Sequence, residues 1–222
     1  MNVRSAEDLA RVDEPAWPAI KSLVEQSSSR ARILPVDRAT GEASLHRLQV
    51  TAASTLGALA LNCGGLLVDG GWVRILGGGY DGLPSIATAN GLNKPTATKA
   101  PWPYLTVAFD VLGGRFAIDG GGLGVSPGKV CYWAPDSLEW EGTDLGHGAF
   151  VQAFITGVTT KFYEDFRWPG WTDDVATLGL DQGLSLWPPP FSTEGRDLAT
   201  VSRRPVPLSE LHSFYEDAAR QL

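Results

Sequence analysis

The stretch that most constrains this fold is the run YLTVAFDV, RFAIDGG and KVCYWAP between residues 104 and 135. Each segment is apolar and rich in β-branched or aromatic residues, and glycine groups at Gly113-Gly114 and Gly120-Gly121-Gly122 separate them. Short apolar runs punctuated by glycine predict consecutive antiparallel strands, a meander. Upstream, LLVDGGWVRIL places a two-residue turn at Asp69-Gly70 or Gly70-Gly71 between two more apolar runs, which predicts a hairpin. A short apolar ARILPV adds a further candidate strand.

Helical spacing brackets this sheet. Ser5 followed by Asp8 predicts a capping box, and Pro15 opens PAWPAIKSLVEQ, with Trp17, Ile20, Leu23 and Val24 on one face. ATGEASLHRLQV continues in helical register through Leu45 and Leu48. A helix from near Thr51 through LGALALN is expected to stop at Cys63-Gly64-Gly65, with the glycines as a left-handed cap. HGAFVQAFITG predicts a helix laid on the sheet, ending at Gly157, and TKFYEDFRW carries the period on to Pro169. PVPLSELHSFYEDAARQL reads as a terminal helix with Leu208, Leu211, Tyr215, Ala218 and Leu222 on one stripe. The expected fold is α+β: one domain over 1–222, with a central antiparallel sheet of about five or six strands covered by helices on one face. It divides into a helical N-terminal half (1–63), the sheet and covering helices (64–178), and a loop with the C-terminal helix (179–222). Two long loops, 77–103 and 179–204, are the irregular parts; such lengths are uncommon without a functional reason.

Composition narrows the function classes. The net charge of −7 opposes a phosphate backbone, and the 18 basic residues gather in no run, so nucleic acid is not an expected partner. The acidic MNVRSAEDLARVDEPAW does not resemble a signal peptide, and no apolar run reaches membrane-spanning length, so a cytoplasmic protein is expected. Cys63 and Cys131, the only cysteines, have no CxxC or histidine spacing and read as small buried hydrophobes. No HxH, HxxxH or DxD pattern marks a metal site, and neither metal nor cofactor is expected. GGLGVSPGK, residues 121–129, lacks the hydroxyl that a phosphate loop needs after its lysine, because Val130 follows Lys129.

Candidate chemistry therefore rests on scattered groups. Asp110 and Asp119 each end a strand; facing one pocket edge, they would split their pKa values into acid and base, whereas each alone would cap a glycine-rich turn. Glu139 and His147 complete the catalytic candidates, His147 because it stands at the start of a helix. Trp133, Trp140, Trp168, Trp171 and Trp187 all lie in the C-terminal half, several beside proline or glycine. Tryptophan combines a large apolar face with one N–H, so irregular core packing is the default reading of these five, which are also the candidate ligand-binding residues.

DEPAWPAI, LGALALNCGGLLVDGGWVRILGGG, FDVLGGRFAIDGGGLGVSPGKVCYWAPDSLEWEGTDLGHGAFVQAFITG, FYEDFRWPGW and SRRPVPLSEL are together similar to the bacterial family called domain of unknown function 2625. Leu56–Gly65, Val107–Asp119, Val130–Trp133 and the helix opening at Gly148-Ala149-Phe150 bear a more distant resemblance to the SUKH superfamily, with Ala149 where that pattern has serine. The resemblance implies an α+β sheet wrapped by helices, and for SUKH proteins the binding of toxins or regulated partners. The leading expectation is a binding protein, immunity-like or regulatory, that takes a protein partner or a small apolar ligand through its acidic surface and Trp-rich loops. The rival is a cofactor-independent cyclase, isomerase or hydrolase with a Trp-lined pocket.

Overall fold

The computed structural model describes residues 3–27, 30–95 and 102–222. Seven strands form one antiparallel sheet in strict sequence order: β1 (Ala31–Leu34), β2 (Gly65–Val68), β3 (Val73–Leu76), β4 (Tyr104–Asp110), β5 (Arg115–Asp119), β6 (Val130–Trp133) and β7 (Trp140–Gly142). Every strand therefore pairs with its chain neighbour, as the glycine-punctuated pattern requires. The count exceeds the five or six expected because APDSLEWEG is more than a turn: Trp140, Glu141 and Gly142 pair with Trp133, Tyr132 and Cys131.

The helices fall where caps and periodicity place them. Ser5 Oγ accepts from Asp8 N at the start of α1 (Ala6–Ala10), and Asp37 and Ser54 cap α3 (Arg38–Leu48) and α4 (Thr55–Asn62) in the same way. With α2 (Trp17–Gln26), these make the helical N-terminal region that β1 interrupts. The left-handed cap expected at Gly64-Gly65 is absent. Cys63 ends α4 in extended backbone, and the glycines serve close approach instead: a Cβ on Gly64 would lie 2.4 Å from the Pro35 carbonyl oxygen. The two-residue hairpin turn is likewise longer, a 3₁₀ turn over Asp69–Gly71 followed by Trp72. Asp69, Gly70 and Gly71 all have positive φ there.

Alternation along β5 assigns the two faces of the sheet. Phe116 points to the side covered by α6 (His147–Thr156), where its ring lies 5.0 Å from Phe150 and 5.2 Å from Phe154. α2 and α4 pack against α6 to complete this helical layer. Fully burying each of these rings contributes about 2–3 kcal/mol. Gly157 then ends α6 in a left-handed cap, as its sequence position predicts. Beyond it the helical period of TKFYEDFRW breaks into α7 (Thr159–Phe162) and a 3₁₀ turn at Glu164–Phe166, followed by the short α8 (Trp171–Ala176).

Arg115 points to the other face, which also carries structure. The 179–204 segment, expected as a loop, carries strands of a second sheet: β8 (Gln182–Trp187) pairs in register with β9 (Ser202–Pro207). Its strand character was hidden by Pro188, Pro189, Pro190, Pro205 and Pro207, which demote a run to loop in a sequence reading. The buried Arg74 of β3 holds the approach to this hairpin by donating to the carbonyls of Leu180 and Gln182, and Leu184 N donates to Val111 O. α9 (Leu208–Gln221) closes the layer, stacking Tyr215 on Trp133 and His212 on Phe109. Within 77–103, a bridge joins Tyr80 to Leu83 and a short helix, α5, spans Ile86–Ala89; residues 96–101 of that predicted loop lie outside the described residues.

Candidate functional site

The two carboxylates expected to share a pocket are at opposite ends of one hairpin. Tyr104 pairs with Asp119, whereas Asp110 N donates to Gly114 O at the turn. Six residue rises along β4 put the two residues about 20 Å apart. Each carboxylate is also fully occupied. Asp110 is wholly buried and accepts from the Tyr132 hydroxyl (2.8 Å), the Tyr163 hydroxyl (3.0 Å) and the backbone N–H groups of Leu112 and Gly114. Burial raises its pKa, while these hydrogen bonds pull the other way. Asp119 accepts from the N–H groups of Gly121, Leu123, Val125 and Ser126, and those bonds hold its carboxyl below the ordinary 3.8 despite desolvation. It ties the glycine-rich loop into shape, which is the turn-capping alternative that the sequence already offered.

Neither remaining catalytic candidate meets a partner group. Glu139 is exposed on the turn into β7, and its carbonyl accepts from Ala134 N. His147 opens α6 with its ring beside Phe150, both ring nitrogens enclosed and without a hydrogen-bond partner among the described residues. Burial pushes its pKa down to about 4, so it is neutral in ordinary buffers.

The five tryptophans do not form one platform. Trp168 and Trp171 pack around the buried Trp72, and Arg167 lies 4.3 Å over Trp171 while it pairs with Asp69 at 2.6 Å. Asp69 also accepts from Thr159 Oγ1 and Arg30, so this cluster pins the β2–β3 turn to the segment after α6. Trp168 Nε1 donates to Asp174, leaving its N–H satisfied. Trp187, at the end of β8, is 69% exposed. Only Trp133 and Trp140 approach a recess, and they do so through Arg115, whose guanidinium lies 5.0 Å and 5.8 Å from their rings.

That recess is the site that the sequence reading missed. A cleft of about 370 Å³ opens on the Arg115 face, lined by Ala89, Asn90, Trp102, Pro103, Tyr104, Thr106, Phe109, Arg115 and His212. Its rim is built by local chemistry. The β4 ladder slips between Thr106 and Ala108, a bulge that frees the Thr106 backbone. Asn90, just after α5, takes up both freed groups, accepting from Thr106 N at 2.7 Å and donating to Thr106 O at 2.8 Å. On the opposite rim Gly120 N donates to Pro103 O, and a Cβ on Gly120 would lie 1.7 Å from the Trp102 carbonyl oxygen. Glycine is required there so that the Trp102 segment can lie against the loop that Asp119 holds.

Trp102 Nε1, Arg115 Nε and His212 Nε2 are each buried without a hydrogen-bond partner among the described residues. Trp72 Nε1, Arg74 Nε, Arg167 Nε, Arg203 Nε and both His147 nitrogens are likewise unpartnered among the described residues, so these atoms do not by themselves distinguish the cleft. Arg115 Nη1 is already bonded to Glu216 at 2.6 Å, which fixes the guanidinium in place. His212 is depressed to about 3 by burial and by the neighbouring Arg115 charge, so it contributes no charge of its own. Among the described lining residues Arg115 is the single ionic group. A faint signal was legible: RFAID opens a short, largely apolar strand on an arginine, on the face opposite Phe116.

Among the described residues no cluster of three or more His, Cys, Asp or Glu is arranged to hold a metal ion, and no helix is long and apolar enough to cross a membrane. Cys63 and Cys131 are free and buried, and desolvation raises the Cys63 thiol to about 12.

A sheet threaded in strict sequence order, with helices on one side and a hairpin and terminal helix on the other, defines an α+β protein with a cleft at Arg115 on the hairpin side. Residues 6–211 match the family described as "Protein of unknown function DUF2625", and the chain belongs to that family. It is 36% identical to "Putative uncharacterized protein YbfG" of Escherichia coli K12 over 84% of this chain and 85% of that protein. A Haemophilus influenzae "Uncharacterized protein" is 30% identical over 84% of this chain and 82% of its own length. No solved structure matches, and the SUKH resemblance finds no support in these comparisons.

Proposed function

We propose that this is a binding protein whose ligand is a small molecule held in the cleft between β4, β5, Asn90 and α9. The single observation that carries the reading is a cleft of about 370 Å³ whose described lining sets one ionic side chain, Arg115, among the rings of Trp102, Tyr104, Phe109 and His212. Binding is favoured over turnover because the acid–base candidates are spent elsewhere: Asp110 and Asp119 are saturated with hydrogen bonds at separate sites, and neither lines the cleft. An immunity-like role toward a protein partner would have to use the acidic surface, which the cleft does not require. Two free thiols fit a reducing compartment, and we place the protein in the cytoplasm on that ground.

Trp102, Trp133 and Trp140 are at or beside the cleft, so intrinsic fluorescence reports on it directly. Titration with fractionated host metabolites is expected to give a saturable change that Ala89→Trp, which fills the cleft, abolishes. Absence of any saturable response to the fractions, or a response that survives Ala89→Trp, would overturn the reading.

A further inference from the structure

A second cleft, of about 490 Å³, lies between α3 and the segment 78–88, and it shares no lining residue with the cleft at Arg115. α3 presents Thr40, Ala43, Ser44 and Arg47 to it, positions three and four apart that a helix brings onto one face. The facing wall is fixed by its backbone. Gly78 N donates to Cys63 O, Gly79 N to Gly64 O, and Ile86 N to Gly77 O. A Cβ on Gly41 would lie 2.4 Å from Leu61 O, and one on Gly78 would lie 2.7 Å from Ala60 O. Both walls therefore seat directly on the backbone of α4, and the small side chains above that contact leave the space between them open.

Arg47 is the ionic group of this lining, and its state is the reverse of that of Arg115. Arg115 is taken up by Glu216, whereas Arg47 is half-buried and enters no ion pair or hydrogen bond among the described residues. Acids outnumber bases 25 to 18 in this chain, so a carboxylate partner would be the ordinary arrangement. The acids of α3 and its cap are engaged elsewhere: Asp37 accepts from Thr40 N, and Glu42 pairs with Arg38. None of the described lining residues is acidic. The planar guanidinium fork thus stays uncommitted at the cleft, a geometry that matches two oxygens of an anion.

The opposite wall adds a hydroxyl donor. Ser85 Oγ accepts from Thr88 N and lies 2.9 Å from Thr88 Oγ1, so one hydroxyl proton bridges the pair and the other remains free. A phosphate ester offers a third terminal oxygen for that proton, where a carboxylate has only the two that the fork takes. Thr40 and Thr88 are exposed at the mouth, so water reaches the second negative charge of such a group. The described lining holds no aromatic residue. It gives a ring nothing to stack on, while its serine and threonine surface suits a hydroxylated body.

We propose that this second cleft binds a small phosphate ester with a hydroxylated, non-aromatic body, such as a sugar phosphate, its phosphate seated on Arg47 and the Ser85–Thr88 hydroxyl pair. The site stands apart from the cleft at Arg115 and does not depend on that cleft having a ligand.

Glucose 6-phosphate, glucuronate and glucose carry a phosphate ester, a carboxylate and a plain hydroxyl at the same carbon, and each is titrated against the full chain by ligand-observed NMR. Glucose 6-phosphate is expected to bind about tenfold or more tighter than glucose, and measurably tighter than glucuronate, because hydrogen bonds to a charged acceptor are the stronger ones. Arg47→Gln removes the charge and the fork, and is expected to weaken glucose 6-phosphate about tenfold without moving the urea midpoint. Thr88→Val, at an exposed position, keeps the shape and removes one hydroxyl, and is expected to weaken it about threefold. Binding of glucuronate or glucose as tight as that of glucose 6-phosphate overturns the phosphate-ester assignment. Unchanged affinity in both Arg47→Gln and Thr88→Val overturns the site, as does failure of both glucose 6-phosphate and the smaller glycerol 3-phosphate to bind. All of these outcomes leave the reading of the Arg115 cleft as it stands.

Discussion

The two faces of β5 treat their polar groups in opposite ways. On the Phe116 face, Asp110 is buried in an aromatic wall, and its carboxylate meets two tyrosine hydroxyls and two backbone N–H groups. On the Arg115 face, one residue away, an arginine, a histidine and a tryptophan enclose nitrogens with no partner among the described residues. Burial alone is common to both, so burial does not separate structure from function here. Asp110 differs from the cleft groups in satisfaction: its carboxylate has four donors, while the Arg115 face leaves nitrogens unpartnered, as the closed face also does at His147. Leaving a buried polar group unpaired costs about 1–3 kcal/mol on either face.

Substitutions break or sharpen this contrast. Asp110→Ala has the largest expected effect: it strands two tyrosine hydroxyls and two N–H groups in the core and lowers unfolding stability by about 4 kcal/mol in urea titrations. A loss below about 1 kcal/mol would show that the closed face is not held by its network. Asp119→Asn comes next, at about 2 kcal/mol, since four N–H groups lose a charged acceptor. Its effect carries a pH signature. Because the folded-state pKa of Asp119 lies below the ordinary 3.8, its contribution is fully present above that value and is lost as pH falls through the folded pKa. Asp110 has the opposite sign: its raised pKa makes the folded state bind a proton more tightly, so its contribution declines as pH rises above 3.8. Thermal melts at graded acid pH should therefore show a shallower acid loss for Asp119→Asn than for the parent chain.

His212→Phe is the sharpest comparison, because the sign should reverse. It keeps a ring against Phe109 and removes an unpartnered nitrogen, so stability is expected to rise by about 1 kcal/mol while ligand response falls. A destabilised variant would place His212 with the structural groups rather than the binding ones. Trp187→Ala has the smallest expected effect, below about 0.5 kcal/mol and without change in ligand response, because the side chain is 69% exposed and remote from the cleft lining.

Much of the scaffold was legible before any coordinates. The cap residue Ser5, the glycine stop of α6 at Gly157 and the strands flanking Gly113-Gly114 are local events, decided within a few residues. The turn-capping reading of Asp119 was also available, since its four partners lie within seven residues. The cleft was not. Its lining runs from Ala89 to His212, and the bond that fixes Arg115 joins residues 101 positions apart. The proline-rich hairpin and the three-residue β7 were hidden because what makes them strands is pairing with a neighbouring segment, which overrides their weak local preference.

By itself the sequence determined a meander bounded by capped helices, because hydrophobic period, glycine and capping residues act over a few positions. Only the tertiary structure decided that Asp110 and Asp119 would stand about 20 Å apart, that the tryptophans would divide between core and surface, and that Arg115, Trp102 and His212 would meet. Side-chain satisfaction is a property of space rather than of spacing, and a donor's partner, or its lack of one, is fixed only when the sheet, the hairpin and α9 have packed.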